Sequence, residues 1–371
     1  MKILFFSNPL GWGHVTRDMR LAKIILKILP NCEIAFSSSG TALDLLRDEG
    51  WSASGSKEME KMLSDRIERI ASAIHSQKPD IVISDEELMA LPLAKVMADI
   101  PLPTILISDY LPSNISPYSM PLNNEQELAF FKQADSIVIP DFIEGYEVNE
   151  ILRGKVNFIG PIIDQIEEQN KIPPKNEMRE SYGIRNDEKV FVVTAGDRVS
   201  QGRDLFSAAI SAFKLLRVPT KRLIVLAGNR KDEIAKEFHG DDKILVLGHA
   251  YPAAKIWFSA DLVINRGGHT TLWELAASGT PSLSVPFPPQ INQLNLFFTR
   301  KMEREGTTMV IQEHELTVPY LSLCMERAIL LGQSEFPKIR QRIIEAESQQ
   351  LEKIQAILKP YLAPASGFIG H

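Results

Sequence analysis

The segment of residues 261–286 constrains the fold more than any other part of the sequence. It contains a β-branched run at residues 262–264, a loop with two adjacent glycines, a helical stretch and a second apolar run. Thr270 and Thr271 are favoured helix N-caps, and Gly279 is a favoured helix terminator. A strand, a helix and a second strand in this order form the crossover unit of a parallel sheet. The segment therefore predicts an α/β domain with helices on the faces of the sheet.

The loop of this segment also has the composition of an anion site. Gly267 and Gly268 precede the predicted helix, whose first backbone N–H groups and positive dipole end suit a phosphate. Arg266 and His269 add side-chain donors beside them. Glu274 lies one turn into the helix, where a carboxylate accepts sugar hydroxyls. The glycine loop alone is equally compatible with an ordinary turn in a parallel sheet.

The same alternation of strands and helices runs through the whole chain of 371 residues, a length that favours two domains. A polar, proline-containing stretch at 167–176, just after Gly160-Pro161, reads as a linker. We therefore predict two doubly wound Rossmann-like domains, 1–160 and 161–371, that face a central cleft; packing of the last helix against the N-terminal domain stays open. The predicted strands are residues 3–6, 34–36, 81–84, 104–107, 136–139, 156–159, 190–194, 223–227, 244–247, 262–264, 282–285 and 308–311.

Composition excludes several classes of function. The net charge of −6 gives no basic field for nucleic acid or an anionic membrane. The two cysteines, Cys32 and Cys324, lack metal-ligand spacing and are too few for a disulfide framework. No apolar run reaches the length of a membrane span, and the N-terminus lacks a signal-peptide cleavage site. The sequence thus predicts a cytoplasmic protein without a bound metal.

A second candidate site follows the first predicted strand. Gly13 and His14 end a Gly-Trp-Gly-His run, and Arg17 comes one turn later. Ligands of doubly wound sheets bind at the carboxyl ends of strands, where this loop lies. A helix N-terminus lowers the pKa of an imidazole, so we expect a neutral His14 that accepts a proton. A simple helix-capping role for His14 is the alternative.

Three acids follow the strand at 81–84, and one of them is a candidate partner for His14. Asp85 is the nearest to the strand end, where a carboxylate orients and supports a histidine base. A solvated acidic turn explains Asp85, Glu86 and Glu87 equally well. We therefore predict catalytic roles for His14 and Asp85, with the pairing itself left open.

These motifs resemble those of a known family. The run R-G-G-H-T-T-L-W-E-L-A-A-S-G-T-P-S-L-S-V-P, followed by Q-I-N-Q-L-N, resembles the nucleotide-sugar signature of GT-B glycosyltransferases, and MurG-like enzymes of family 28 in particular. G-W-G-H-V-T-R resembles the N-terminal glycine-rich loop of that family. The same G-x-G-H-x-x-R form also resembles nucleotide-sugar hydrolases in which a histidine activates water.

The resemblance implies a UDP-sugar donor site in the C-terminal domain. Glu274 would bind the ribose hydroxyls, and the backbone of Ala250 would hold the uracil edge. Gly196 and Arg198, in the first loop of that domain, would close the pocket. The phosphate donors would be Gly268, His269, Thr270 and Thr271. Arg266 would neutralise the diphosphate, and Gln290 and Gln293 would contact the hydroxyls of the donor sugar.

The resemblance also implies the reaction. It would be an inverting, metal-independent transfer of a sugar from a UDP-sugar to a hydroxyl acceptor, without a cofactor. The sugar would be N-acetylglucosamine in the commonest case. His14 would be the general base, and Gly13 and Arg17 would lie in the acceptor-side loop. The acceptor would be lipid-linked or a small molecule, and a lipid acceptor would bring peripheral contact with the inner face of the membrane. Open alternatives are a nucleotide-sugar hydrolase, a GT-B sugar-nucleotide epimerase and a non-catalytic binding module.

Overall fold

The computed structural model describes residues 1–362, apart from residue 61 and the ranges 113–123, 165–172, 197–203, 239–240, 290 and 331–333. The described chain divides into two compact units. The first unit comprises residues up to Ile162 together with those from Glu345 onward, and the second runs from Ile163 to Ile344. None of the described helices combines the length and the hydropathy that crossing a lipid bilayer requires.

The described strands of the first unit form one seven-stranded parallel sheet with the order β3-β2-β1-β4-β5-β6-β7. Its strands are β1 Lys2–Ser7, β2 Glu33–Ser39, β3 Ser52–Ser56, β4 Ile81–Asp85, β5 Thr104–Ile107, β6 Ser136–Ile139 and β7 Val156–Phe158. The helices between them are α1 Trp12–Ile28, α2 Gly40–Asp48, α3 Leu63–Gln77, α4 Ala90–Val96 and α5 Asn124–Gln133.

The described strands of the second unit form a six-stranded parallel sheet with the order β10-β9-β8-β11-β12-β13. Its strands are β8 Lys189–Thr194, β9 Lys221–Leu226, β10 Ile244–Leu247, β11 Leu262–Asn265, β12 Ser282–Ser284 and β13 Thr308–Val310. The helices from here to the end of the described chain are α6 Lys175–Ser181, α7 Leu205–Leu215, α8 Lys231–Glu237, α9 Ala254–Ser259, α10 His269–Ser278, α11 Gln293–Arg304, α12 Val318–Ala328 and α13 Phe336–Leu362.

Both sheets reverse their strand order at one place, and this place positions the candidate sites. The central strands β1 and β8 are apolar along most of their length and buried by helices on both faces, as a doubly wound sheet requires. The order reverses between β1 and β4 in the first sheet and between β8 and β11 in the second. Ligands of doubly wound folds bind beyond the strand ends at such a switch point.

The two-sheet α/β architecture predicted from the sequence is confirmed, with local differences. The sequence reasoning missed β3 because Ser-Ala-Ser-Gly-Ser carries no apolar pattern; it pairs only with β2, at the edge of the sheet. The prediction that Thr270 and Thr271 cap helix α10 is wrong. The helix already begins at His269, and Gly268 is its N-cap, whereas Gly279 ends it in the left-handed conformation as predicted.

Helix α13 belongs to both units. Its residues up to Ile344 lie in the second unit, and those from Glu345 lie in the first. In the first unit, the side chain of Gln350 donates to the Pro161 carbonyl at 2.7 Å, and Lys353 Nζ donates to the Phe158 carbonyl at 3.3 Å. These bonds tie the last helix to the end of β7 and to the chain just after it.

Candidate active site

His14 lies in the first turn of α1, just beyond the carboxyl end of β1. Its ring contacts Asp85, the last residue of β4, with 2.9 Å between His14 Nδ1 and Asp85 Oδ1. The two strands are neighbours at the switch point, and Ser7 is the register partner of Asp85. The structure therefore brings together the histidine and the carboxylate that the sequence suggested as a pair.

Arg17 contacts both oxygens of the Asp85 carboxylate and lies beside His14, with 3.1 Å between Arg17 Nη2 and His14 Nδ1. Its Nε donates to Asp85 Oδ2 at 2.8 Å and its Nη2 to Oδ1 at 2.5 Å, a two-point contact that defines the plane of the carboxylate. Arg17 also donates to Asp109, which follows β5. Arg17 is 1% exposed and Asp85 is fully buried, so water screens this ion pair weakly.

The three consecutive acids at the end of β4, Asp85 to Glu87, make different contacts. Asp85 faces Nδ1 of His14, whereas Glu86 Oε2 lies 4.0 Å from Nε2, the other ring nitrogen. Glu86 adopts a positive φ of 52°, an uncommon backbone conformation for a residue other than glycine, and its Oε1 accepts from the Asp109 backbone N–H at 2.9 Å. Glu87 turns away and accepts from Arg66 and Arg69.

The expected lowering of the His14 pKa at the helix N-terminus is wrong. Burial does lower the pKa of His14, but the charge and hydrogen bond of Asp85, with the charge of Glu86, outweigh it, and the net shift is upward. For Asp85, burial favours the neutral form, but Arg17 and His14 overcome it and lower the pKa. The pair thus combines a charged carboxylate with a more basic imidazole.

A second buried acid, Asp18, lies beneath this pair. Burial, followed by the charge of Asp85, raises the pKa of Asp18 well above its ordinary value. Ser7 Oγ donates to Asp18 Oδ2 at 2.5 Å. Two adjacent buried carboxyls resist ionising together, and the opposite directions of the two pKa shifts favour the charge on Asp85 and the proton on Asp18.

In the second unit, the two glycines after β11 have different environments. Gly267 has a φ of 77°, and a Cβ there would lie 2.2 Å from Thr299 Cγ2 on α11. Gly268 has a φ of −65° and is the N-cap of α10; the nearest heavy atom to its ideal Cβ is Thr271 Oγ1 at 3.8 Å. Gly267 therefore serves the close approach to α11, and Gly268 leaves space at the start of α10.

The two cationic candidates of this loop are packed against the protein. Arg266 Nη1 lies 3.3 Å from Glu313 Oε1 and 3.2 Å from the Val285 carbonyl, and its guanidinium stacks over Phe287. The ring of His269 accepts from Trp273 Nε1 at 3.2 Å and packs against Phe298. Their contribution to phosphate binding stays a prediction.

Glu274 shares a face of α10 with Thr270 and Thr271, which lie one turn earlier and are half-buried. The Glu274 side chain is 6% exposed, and its Oε2 accepts from the indole Nε1 of Trp257 at 2.9 Å. Trp257 lies on α9, the helix that follows the loop containing Ala250.

The remaining candidates take these positions. Gly13 lies in the first turn of α1; Gly196 has a φ of 65° in the loop after β8; Ala250 is half-buried in the loop after β10; Gln293 is the half-buried first residue of α11. Arg198 and Gln290 lie outside the described residues.

Sequence reasoning missed two contacts at these sites. Asp109 is not among the residues predicted from the sequence, although its place just after β5, at the carboxyl edge of the sheet beside β4, could have indicated it. Trp257 lies in a short apolar stretch, and nothing in that pattern indicates a bond to a carboxylate 17 positions later.

Comparison with known proteins identifies the family of this chain. The model for the glycosyltransferase family 28 C-terminal domain matches residues 190–355. An uncharacterized glycosyltransferase from Methanopyrus kandleri is 31% identical over 261 residues, which are 70% of each chain. The chain belongs to glycosyltransferase family 28.

Other relatives of this family 28 enzyme carry more specific names. The UDP-N-acetylglucosamine–N-acetylmuramyl-(pentapeptide) pyrophosphoryl-undecaprenol N-acetylglucosamine transferase of a Thermoanaerobacter species is 22% identical over 384 residues, covering 97% of this chain and 98% of that protein. The crystal structure of Acinetobacter baumannii MurG superposes with a TM-score of 0.56 at 15% identity, covering 97% of this chain and 99% of that one. The fold is therefore GT-B and MurG-like, and the protein is a glycosyltransferase.

Proposed function

We propose that this enzyme transfers N-acetylglucosamine from UDP-N-acetylglucosamine to a hydroxyl acceptor, with inversion at the anomeric carbon and without a metal ion. The observation that carries the proposal is the alignment of Arg17, Asp85 and His14 at the switch point of the first sheet. The name of the Thermoanaerobacter relative supports the choice of donor.

His14 acts as the general base of this reaction. Asp85 accepts the Nδ1 proton, which fixes the tautomer and leaves the lone pair on Nε2. Nε2 takes the proton of the acceptor hydroxyl. At the same time the hydroxyl oxygen forms a bond to the anomeric carbon, and the bond between that carbon and the diphosphate oxygen breaks. The Asp85 carboxylate then stabilises the imidazolium, and Arg17 holds that carboxylate in place.

The second unit binds the leaving group. The diphosphate lies at the N-terminus of α10, where the backbone N–H groups after Gly268 and the helix dipole stabilise its negative charge. Glu274 accepts the ribose hydroxyls, and the Ala250 backbone contacts uracil. Fixed protein donors thus take the charge-stabilising role that other transferases give to a metal ion.

The acceptor belongs to the same proposal. The Thermoanaerobacter relative is named for a pyrophosphoryl-undecaprenol acceptor. We therefore extend the proposal to a lipid-linked sugar acceptor, reached by peripheral contact with the cytoplasmic face of a membrane.

The decisive experiment incubates the enzyme with UDP-N-acetylglucosamine and a panel of lipid-linked and soluble sugar acceptors, with EDTA present, and follows UDP release and product. We expect acceptor-dependent UDP release and a β-linked product, since the donor is α-linked. An α-linked product contradicts inversion, activity that EDTA abolishes and Mg²⁺ restores contradicts metal independence, and no turnover with any acceptor contradicts the choice of substrates.

A nucleotide-sugar hydrolase is the second candidate, and one observation favours it. Glu86 Oε2 and His14 Nε2 lie 4.0 Å apart, so a water oxygen about 2.8 Å from both would see them at roughly 90°, close to the angle between the two O–H bonds of water. UDP release at the full rate without any acceptor, with free sugar as product, selects this function over transfer.

A further inference from the structure

We propose that Trp257 is a positioning residue for the nucleotide: its indole N–H holds the Glu274 carboxylate in the orientation that selects ribose hydroxyls. This inference rests on the proposed function, because it assumes that Glu274 binds the ribose. It concerns a contact within the second unit only. The residues that carry it are Trp257, Glu274, Thr280, Arg179 and Lys175.

The central contact joins two buried side chains. Trp257 Nε1 donates to Glu274 Oε2 at 2.9 Å, and the two residues are 3% and 6% exposed. A hydrogen bond to a charged acceptor away from water is stronger than an average one. A carboxylate has about four acceptor positions, more than one N–H group occupies. The bond therefore restricts the rotation of Glu274 and is compatible with hydroxyl binding.

Helix α9 gives the indole a rigid base. The Trp257 carbonyl accepts from Thr280 Oγ1 at 2.9 Å. Two residues further on, Arg179 Nε donates to the Ser259 carbonyl at 3.0 Å, and Lys175 Nζ donates to the Ala260 carbonyl at 2.9 Å. Two cations at the C-terminal end of a helix also match its dipole. The ring itself packs in the core that contains Val263 and Leu275.

This arrangement links two parts of the proposed nucleotide site. The loop with Ala250 precedes α9, and the carboxylate held by α9 lies on α10. A site residue gains precision when a buried neighbour fixes its rotamer, and loses it when that neighbour is removed. Removal of the indole N–H should therefore weaken recognition of the 2′- and 3′-hydroxyls and leave uracil and phosphate contacts in place.

The test measures binding of UDP and of 2′,3′-dideoxy-UDP by calorimetry. In the unaltered enzyme, we expect the dideoxy nucleotide to bind on the order of tenfold or more weaker, since it lacks both hydroxyls. Trp257→Phe keeps an apolar aromatic ring, smaller than the indole, and lacks the N–H group. We expect it to weaken UDP binding on the order of tenfold and to leave binding of the dideoxy nucleotide within about twofold.

Ile256→Val is the matched control, because Ile256 is a fully buried neighbour on α9 that loses a methylene but no hydrogen bond. We expect it to keep the preference for UDP. The double variant Trp257→Phe, Glu274→Ala should bind UDP about as weakly as Glu274→Ala alone, because Trp257 acts through that carboxylate.

A second measurement uses no tryptophan variant. The chain has four tryptophans, so the ¹⁵N–¹H signals of the indole groups are few. In Glu274→Ala, we expect the Trp257 indole proton to shift upfield and to exchange faster with solvent. Full ribose preference in Trp257→Phe, or an unchanged indole signal in Glu274→Ala, overturns the inference alone; failure of the unaltered enzyme to bind UDP overturns the proposed function with it.

Discussion

At the scale of single residues, the first unit buries several charged side chains, which are stabilised by the hydrogen bonds and ion pairs between them. Arg17 donates to both Asp85 and Asp109, and burial beside Asp85 raises the pKa of Asp18. Removing one partner of a buried ion pair costs about 3–5 kcal/mol, which is a large part of the free energy of folding. Each ionised group here has a bonded partner of opposite charge, so the imidazole faces a carboxylate of fixed position.

The residue-scale prediction for the base concerns His14→Ala. Without a proton acceptor, turnover should fall on the order of a hundredfold or more, and UDP affinity should change little because the residues proposed to bind the nucleotide lie in the second unit. Turnover is measured at saturating donor, and affinity by calorimetry. His75→Ala removes an exposed histidine on α3 and should match the unaltered enzyme. Full activity in His14→Ala removes the histidine from the mechanism.

The raised pKa of His14 predicts the pH dependence of catalysis. A general base must be neutral, so kcat/KM should rise with pH through a pKa above the ordinary histidine value of about 6.5. Initial rates measured from about pH 5 to about pH 9, on both sides of that value, test this expectation. An acid limb centred below the ordinary value contradicts it.

Asp85 and Asp18 provide a matched pair of substitutions. Asp85→Asn removes the charge that raises the His14 pKa, so turnover should fall on the order of a hundredfold and the acid limb should move to lower pH. Asp18→Asn replaces an acid whose raised pKa favours the protonated form, so it should keep most activity. A larger loss in Asp18→Asn than in Asp85→Asn reverses our assignment of the proton, and kcat/KM profiles of both variants decide.

At the scale of elements, the glycine loop before α10 combines a packing constraint with an open helix end. Gly267 adopts a backbone conformation that favours glycine and lies against α11. The side-chain amide of Asn295 on α11 donates to the Arg266 carbonyl at 2.6 Å, which holds the loop to that helix. The start of α10 is thus fixed by packing before any ligand binds.

Alanine at the two glycines should separate stability from binding. Gly267→Ala should lower the free energy of unfolding by about 2 kcal/mol or more, because its Cβ would overlap Thr299 and its φ is positive. Gly268→Ala should leave the free energy of unfolding within about 1 kcal/mol and weaken UDP binding by crowding the phosphate position. Urea unfolding and calorimetry measure the two effects; equal destabilisation by both substitutions contradicts the distinction.

The sequence predicted most elements because both sheets are built from apolar runs between turns. The apolar run Leu262-Val263-Ile264 predicts a strand, and Gly279 predicts the end of a helix, from local chemistry alone. Three features could not be read this way. The edge strand Ser52–Ser56 has no apolar signal, the pKa of His14 depends on acids 71 and 72 positions away, and the Trp257–Glu274 bond depends on tertiary packing.

At the scale of the whole molecule, the last helix secures the end of the first unit. Gln350 is buried, and its amide donates to the Pro161 carbonyl. Gln350→Ala leaves that carbonyl unpaired and should lower the stability of the first unit by about 1–3 kcal/mol. Hydrogen exchange should show the loss in β7 and not in β8. Gln349→Ala changes an exposed neighbour and is the control; equal effects of both substitutions contradict this role of Gln350.

The division of α13 between the two units has a consequence for synthesis on the ribosome. Among the described residues, the second unit uses one stretch of chain, from Ile163 to Ile344. The first unit needs residues from both ends, because its last part begins at Glu345. Domains usually fold in the order in which they are made. Here the unit that carries His14 is the last to have all its residues available, so a nascent chain completes the second unit, with the proposed nucleotide site, before the unit that carries His14.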